Sequence, residues 1–141
     1  MKKTIIHERL EKIKAVNFWV QLMSNPQTKN FIIKLNQDRL EFQGTDIDGN
    51  VIGYYSYVTE LISKGKKQEG TPYTLNDTGY FYDSFKIDVF NDYIVIDADG
   101  AKDDIDWSAP SEKVLGLAEY QFEFLNDYLV PKLIDLIKNE I

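Results

Sequence analysis

The sequence predicts an α+β fold in a single domain of residues 1–141, and two patterns predict it. Apolar residues recur at helical spacing near both ends of the chain, whereas residues 86–96 alternate between apolar and polar types. Within the alternating part, Asn91-Asp92 is a two-residue turn signal between two apolar runs. We therefore expect N-terminal helices, a small antiparallel sheet with a central β-hairpin at about residues 84–97, and a long, kinked C-terminal helix.

Composition limits the classes of function. A chain of 141 residues with 43% hydrophobic and 28% charged residues is long enough to bury one core. The net charge of −7 repels phosphate backbones, so no specific nucleic-acid binding is expected. The absence of cysteine and the single histidine, His7, argue against thiol catalysis, disulfides and multi-histidine metal sites. No apolar run reaches the roughly 20 residues that span a bilayer, so no membrane partner is expected.

Two helices are predicted before residue 44. Thr4 is a candidate N-cap for the first, and Asn25-Pro26 separates the two, because proline suits the first turn of a helix. The first apolar face consists of Ile6, Leu10, Ile13 and Val20. The second helix carries Phe31, Ile32, Leu35, Leu40 and Phe42, and Gly44 ends it.

Two acidic segments each have a structural and a metal-binding interpretation. Residues 44–50 (GTDIDGN) are rich in turn formers, but Asp46 and Asp48 also suggest a calcium loop. The spacing departs from that of an EF-hand, which favours a turn. Residues 97–106 contain Asp97, Asp99, Asp103, Asp104 and Asp106, which favour an exposed loop over a cation or acid–base site.

Residues 75–85 (LNDTGYFYDSF) are the stretch around which the chain is organised. Asp77 and Thr78 are residue types that cap helix N-termini, and a short helix after them would place Phe81 and Phe85 on one face. Gly79 is expected to serve a close backbone approach or an unusual dihedral angle. A strand should follow directly.

The last element is a long amphipathic stretch that Gly116 opens. Pro131 lies inside it and clashes with the carbonyl of Asp127, which predicts a kink or a break into two helices. Its apolar residues are Phe122, Leu125, Leu129, Leu133, Leu136 and Ile137.

Three blocks in order resemble a known family. They are LEFQGTDIDGNVIGYYSYVT at residues 40–59, LNDTGYFYDSF at residues 75–85 with the hairpin after it, and VPKL at residues 130–133 in the final helix. Together they resemble the tail-completion and virion-morphogenesis proteins of tailed bacteriophages. The Tyr- and Phe-rich form is most similar to versions from phages of gut Bacteroides-type hosts. Residues 103–110 (DDIDWSAP) depart from the Tyr-Ala…Gly-Thr segment that many family members have there.

The resemblance implies a structural role without catalytic residues, cofactors or metals. Such proteins are made in the host cytoplasm and form rings at the neck or tail terminus of the virion, joining head and tail around the DNA channel. Their partners are further copies and other neck, portal-associated or tail-tube proteins. Thr78, Gly79 and Ser84 would then be architectural. The candidate interface aromatics are Tyr54, Tyr55, Tyr57, Tyr80, Phe81, Tyr82 and Phe85.

Two other classes of function stay open. The aromatics would also suit a cytoplasmic module that binds a protein partner through exposed rings. The five aspartates at residues 97–106 would suit a carboxylate- or metal-dependent enzyme.

Overall fold

The computed structural model describes residues 18–54, 57–72, 79–98 and 111–140. Several predicted features lie outside these ranges: the first predicted helix before residue 18, the capping residues Asp77 and Thr78, Tyr55, and residues 99–110. The described elements are helices α1 (Phe18–Ser24) and α2 (Pro26–Asp38), a π-helix (Arg39–Gln43), α3 (Tyr57–Ile62), α4 (Tyr80–Asp83), strands β1 (Lys86–Val89) and β2 (Ile94–Asp97), α5 (Ser111–Val114) and α6 (Gln121–Glu140). The α+β fold class is confirmed.

The predicted boundary between the first two helices is confirmed at Asn25-Pro26. Asn25 has an extended backbone, and its side-chain oxygen accepts a hydrogen bond of 2.8 Å from the backbone N–H of Gln27. This bond satisfies one of the donors that a helix N-terminus leaves unpaired. Gly44 ends the π-helix in the left-handed conformation, at φ 62°. The predicted helix end is therefore also correct, although its last turn is a π-helix.

The antiparallel hairpin is the sheet of the described structure. Ile87 pairs with Ile96 and Val89 with Ile94, and the backbone N–H of Phe90 donates to the carbonyl of Tyr93 at 2.9 Å. Asn91 and Asp92 form the turn, and neither has the positive φ of a type I′ turn. The stacked rings of Phe90 and Tyr93, with centroids 4.7 Å apart, lie at this end of the hairpin.

Two buried clusters form the core. The first contains Leu22, Met23, Ile32, Ile87 and Leu125, and so joins α1, α2, the hairpin and α6. The second contains Leu40, Phe81, Phe85 and Val114. Ile33 and Ile96 pack against both clusters, which makes the two continuous. The Trp19 side chain adds a polar tie, donating a hydrogen bond of 2.8 Å to the carbonyl of Phe90.

Helix α6 differs from its prediction in where it begins. The helix starts at Gln121, not at Gly116, because Gly116 has a φ of 132°, which a helix does not allow. The break that was one alternative at Pro131 is absent, since α6 runs from Gln121 to Glu140. Pro131 is exposed. Water can therefore solvate the carbonyl that the missing proline N–H leaves unpaired.

A buried arginine holds the segment before α6 against α2. Arg39 is 1% exposed, and its guanidinium donates to the carbonyls of Val114 at 2.6 Å and Gly116 at 2.7 Å. It also donates to the carbonyl of Thr45 at 2.9 Å and to the side-chain oxygen of Gln121 at 3.0 Å. One side chain thereby fixes both the turn after the π-helix and the entry to α6.

Two buried amides complete this polar cluster. Asn36 donates to the carbonyl of Val114 at 3.0 Å and accepts from the backbone N–H of Gly116 at 2.6 Å. Gln121 donates to the carbonyl of Leu35 at 2.6 Å and accepts from the backbone N–H of Ala118 at 2.9 Å. Burial lowers the pKa of Arg39, while Tyr120 and Asp46 act to raise it. We call Asn36, Arg39 and Gln121 the polar clamp.

We predict that Arg39→Met lowers the free energy of unfolding by about 3 kcal/mol, because the partly buried carbonyls of Thr45 and Gly116 lose the donor that the buried arginine provides. Urea unfolding followed by circular dichroism measures the change. Lys34→Met is the matched control on α2: its exposed pair with Asp38 at 3.2 Å contributes about 0.3–0.5 kcal/mol. Equal losses in the two variants would contradict the role of the clamp.

Candidate functional site

The central stretch forms a compact turn of helix between Gly79 and β1. The backbone N–H of Asp83 donates to the carbonyl of Gly79 at 2.9 Å, and the Ser84 hydroxyl donates to the carbonyl of Phe81 at 2.7 Å. The side chain of Gln37 on α2 donates to the carbonyl of Tyr82 at 2.8 Å. Ser84 therefore closes the helix end, and Gln37 ties it to α2.

The rings of this stretch belong to the core. Phe81 and Phe85 are 8% and 9% exposed, and their centroids lie 5.1 Å apart in an edge-to-face arrangement. Both rings pack in the second core cluster, but Phe85 lies two residues beyond the end of α4, so the two residues do not share a helix face as expected. Tyr82 is half-buried beside Phe85. The burial of Phe81 and Phe85 removes both rings from any exposed interface, which corrects the expectation that they offer surface for assembly.

Gly79 has a φ of 82°, so the expected unusual dihedral angle is confirmed. Close approach is not the reason for glycine here. A Cβ built on Gly79 would meet the side chain of Asp83 at 3.9 Å, an ordinary contact distance. The backbone conformation alone therefore selects glycine at this position.

Tyr80 is the first residue of α4, whereas Tyr54 and Tyr57 lie on an arm, which we define as residues 54 and 57–72. A backbone bridge between Tyr54 and Pro72 joins the two ends of the arm. Tyr54 and Tyr57 are 55% and 56% exposed. Helix α3 on the arm also exposes Val58, Leu61 and Ile62, at 60%, 59% and 79%.

A second exposed apolar surface lies on α6, on the side opposite the core. Leu125, Leu129 and Leu133 pack in the first cluster. About half a helical turn away are Phe124, Val130 and Ile134, each 45–55% exposed. We call Phe124, Val130 and Ile134 the outer stripe. Glu123 and Asp127 are exposed on the same side of the helix.

The Asp-Gly turn at residues 44–50 has a structural explanation. The carboxylate of Asp46 accepts the backbone N–H groups of Asp48 and Asn50, each at 2.9 Å. Such bonds stabilise the turn without a cation. The carboxylate of Asp48 pairs with Lys113 at 2.8 Å, and that hydrogen bond raises the pKa of Lys113. Both charges are exposed, so the pair adds little stability.

One small pocket lies between α1, the start of α2 and the end of α6. Its volume is about 160 Å³, and the buried hydroxyl of Thr28 beside it has no hydrogen-bond partner among the residues that the structure describes. The wall of the pocket includes Gln21, Leu22, Asn25, Lys132, Asp135, Leu136 and Asn139. A pocket of this size and polarity has room for water that could bond to Thr28.

Within the described residues, no group of three or more histidine, aspartate or glutamate side chains is placed to hold a metal ion. The same residues contain no helix both long and apolar enough to cross a bilayer. Thr78 and Tyr55 lie outside the described ranges, and Asp99, Asp103, Asp104 and Asp106 lie there too. The predictions on these residues stay predictions.

The sequence patterns above do not predict the polar clamp, although the sequence contains a pattern that indicates it. Thr28, Ile32, Asn36 and Leu40 follow one another at intervals of four, and all four are buried. Polar residues on a helical apolar face indicate buried hydrogen bonding. Asn36 and Arg39 bond to the carbonyl of Val114 and the backbone N–H of Gly116, about 75–80 residues away, which no local pattern reveals.

Comparison with protein-family models, with curated proteins and with solved structures finds no match to this chain.

We predict that Gly79→Val lowers the free energy of unfolding by more than about 1 kcal/mol, because a β-branched residue is strained at φ 82°. Gly79→Asn is the matched control, since asparagine tolerates the left-handed region better. Denaturant unfolding compares the two variants with the unmodified protein. A valine variant as stable as the asparagine variant would show that backbone conformation does not select glycine there.

Proposed function

We propose that this protein is a structural component of a tailed-phage virion, located at the neck or tail terminus. In this role, copies form a ring that joins head and tail around the DNA channel. The proposal rests on the resemblance of residues 40–59, 75–85 and 130–133, in that order, to tail-completion and virion-morphogenesis proteins. Its expected partners are further copies and other neck, portal-associated or tail-tube proteins.

The surface of the described structure supports an assembly role. A closed ring of identical subunits needs two different patches on each copy, which meet in a head-to-tail contact. Helix α3 and the outer stripe of α6 are two such patches, each with exposed large apolar side chains. Apolar surface of this kind, clustered instead of scattered, is typical of contact sites.

The second candidate is a module that binds a partner protein through exposed rings. The exposure of Tyr54 and Tyr57 supports a protein-binding module and a ring equally. The two candidates differ in where the protein is found, since the module would remain in the host cell and be absent from particles.

We predict that the protein is present in purified virions and forms a closed ring on the head–tail axis. Mass spectrometry of gradient-purified particles tests its presence, and cryo-electron microscopy of the neck tests the ring. An abundant host cytoplasmic protein, quantified in the same particle fraction, is the control for carry-over. Scattered single copies, or density away from the axis, would contradict the ring.

We also predict that the free protein binds duplex DNA negligibly at physiological salt. A net charge of −7 gives a surface that repels the polyanion, which suits a channel through which DNA slides. Fluorescence anisotropy of a labelled duplex across a salt series measures binding. Tight binding that weakens steeply with salt would contradict a sliding channel and leave the ring itself unaffected.

A further inference from the structure

We propose that the arm of one copy docks through helix α3 onto the outer stripe of α6 on a second copy of this chain. The inference rests on the proposed ring and names the surfaces that build it. Its occupant is a second copy, since the two surfaces are complementary to each other in both apolar character and charge.

The apolar side of the contact comes from a helix with little cover. Tyr57, Val58, Leu61 and Ile62 are four of the six residues of α3, and each is more than half exposed. A helix of six residues is too short to be stable in water without tertiary contacts. Burial against another surface would stabilise it, as an amphipathic helix is stabilised in a groove.

The receiving surface is the outward side of a long, well-anchored helix. Phe124, Val130 and Ile134 extend over about three turns of α6, while its inner leucines hold it in the core. The stripe is therefore rigid before contact, and α6 would lose little conformational entropy when another copy docks onto it.

Charge makes the two surfaces complementary. The arm carries three lysines, Lys64, Lys66 and Lys67, against two glutamates, within a chain whose net charge is −7. Helix α6 carries four acidic residues against two lysines, and Glu123 and Asp127 are exposed on the same side as the outer stripe. A basic arm is thus attracted to the acidic side of α6, and charge of this kind also fixes the orientation of docking.

The same charges disfavour a symmetric pairing. An arm-to-arm dimer would bring the lysines of two copies together, and a stripe-to-stripe dimer would bring acidic residues together. The arm-to-stripe contact avoids both and leaves one free arm and one free stripe on every pair. Such a contact therefore propagates from copy to copy, which is the geometry a ring requires.

The contact is small, so the free protein should associate weakly. Four side chains of α3 against three of α6 fall short of the 20–30 residues a side that a stable interface uses. A ring would accordingly form where copies are concentrated on a platform of other neck proteins.

Site-directed crosslinking tests the pairing directly, because the chain has no cysteine of its own. We would prepare Leu61→Cys on the arm and Ile134→Cys on the stripe as separate proteins, both at exposed positions. We would mix them at high concentration with a short bismaleimide reagent. The mixture should give a crosslinked heterodimer, and a double variant should give a ladder of oligomers.

Two comparisons make this result specific. Leu61→Cys alone should give at least about tenfold less dimer than the mixture, because the arms repel each other. Asn30→Cys, at an exposed position on α2, replaces Ile134→Cys as the control for random collision. Circular dichroism of each variant verifies folding. Efficient arm-to-arm crosslinking, or a mixture that gives no more dimer than the control, would overturn the proposal.

A matched pair of charge variants provides an independent measurement. Ile62 is 79% exposed on α3 and Phe42 is 77% exposed on the π-helix, outside both surfaces. Ile62→Asp should weaken association by about tenfold or more in sedimentation equilibrium, and Phe42→Asp should leave it unchanged. Equal effects of the two variants, or no self-association at any accessible concentration, would overturn the arm-to-stripe contact.

Failure of this inference is distinguishable from failure of the proposed function. If virions contain a ring but the crosslinks map to other surfaces, the docking inference fails and the ring stands. If the arm-to-stripe crosslinks form while purified virions lack the protein, the docking contact stands and the virion role fails.

Discussion

The buried guanidinium of Arg39 is the group on which the arrangement of this fold depends. Removing a charge from water is costly, and the cost is tolerable only when hydrogen bonds replace the hydration shell. Arg39 has such replacements in three backbone carbonyls and one amide oxygen, at 2.6–3.0 Å. Because those acceptors come from residues 45, 114, 116 and 121, the charge can be buried only when distant parts of the chain meet around it.

This dependence sets the position of the last helix. Gln121, the first residue of α6, bonds to Arg39 and to the carbonyl of Leu35, so the start of α6 is fixed against α2. Gly116 lies in the segment before it, where a Cβ would approach the side chain of Ile47 to 3.2 Å. The turn at residues 44–50 and the entry to α6 are therefore packed together. The inner leucines of α6 continue this anchoring into the first core cluster, and the outer stripe is left facing solvent.

Local patterns predicted the parts of the fold that local physics determines. The helix boundary at Asn25-Pro26, the glycine that ends the π-helix and the alternation in β1 and β2 each depend on neighbours within a few residues. The start of α6 was predicted five residues early, because the apolar periodicity extends across a loop that Gly116 holds out of the helical region. The polar clamp depends on backbone groups of distant segments, and side-chain periodicity carries no information about where those groups will lie.

The candidate surface was predicted only in part, for a related reason. Aromatic residues are used both in cores and at interfaces, and sequence alone does not distinguish the two uses. Phe81 and Phe85 are in the core because α4 packs under α2, whereas Tyr54 and Tyr57 are exposed on the arm. The apolar residues on the outward side of α6 were hidden by the stronger leucine pattern on its inward side. The three-dimensional structure was needed to separate the two faces.

The two surfaces also bear on how a protein with exposed apolar side chains could remain unassembled until it is needed. A net charge of −7 makes copies repel each other at long range, and salt screens this repulsion beyond about 8 Å. The proposed arm-to-stripe attraction acts at shorter range and buries little area, so in dilute solution most copies would stay apart and association would be measurable only at high concentration. On a platform that fixes several copies side by side, the second contact becomes intramolecular and its effective concentration rises to millimolar levels. Weakness of each contact would then prevent assembly in the wrong place, and repetition around the ring would supply its stability.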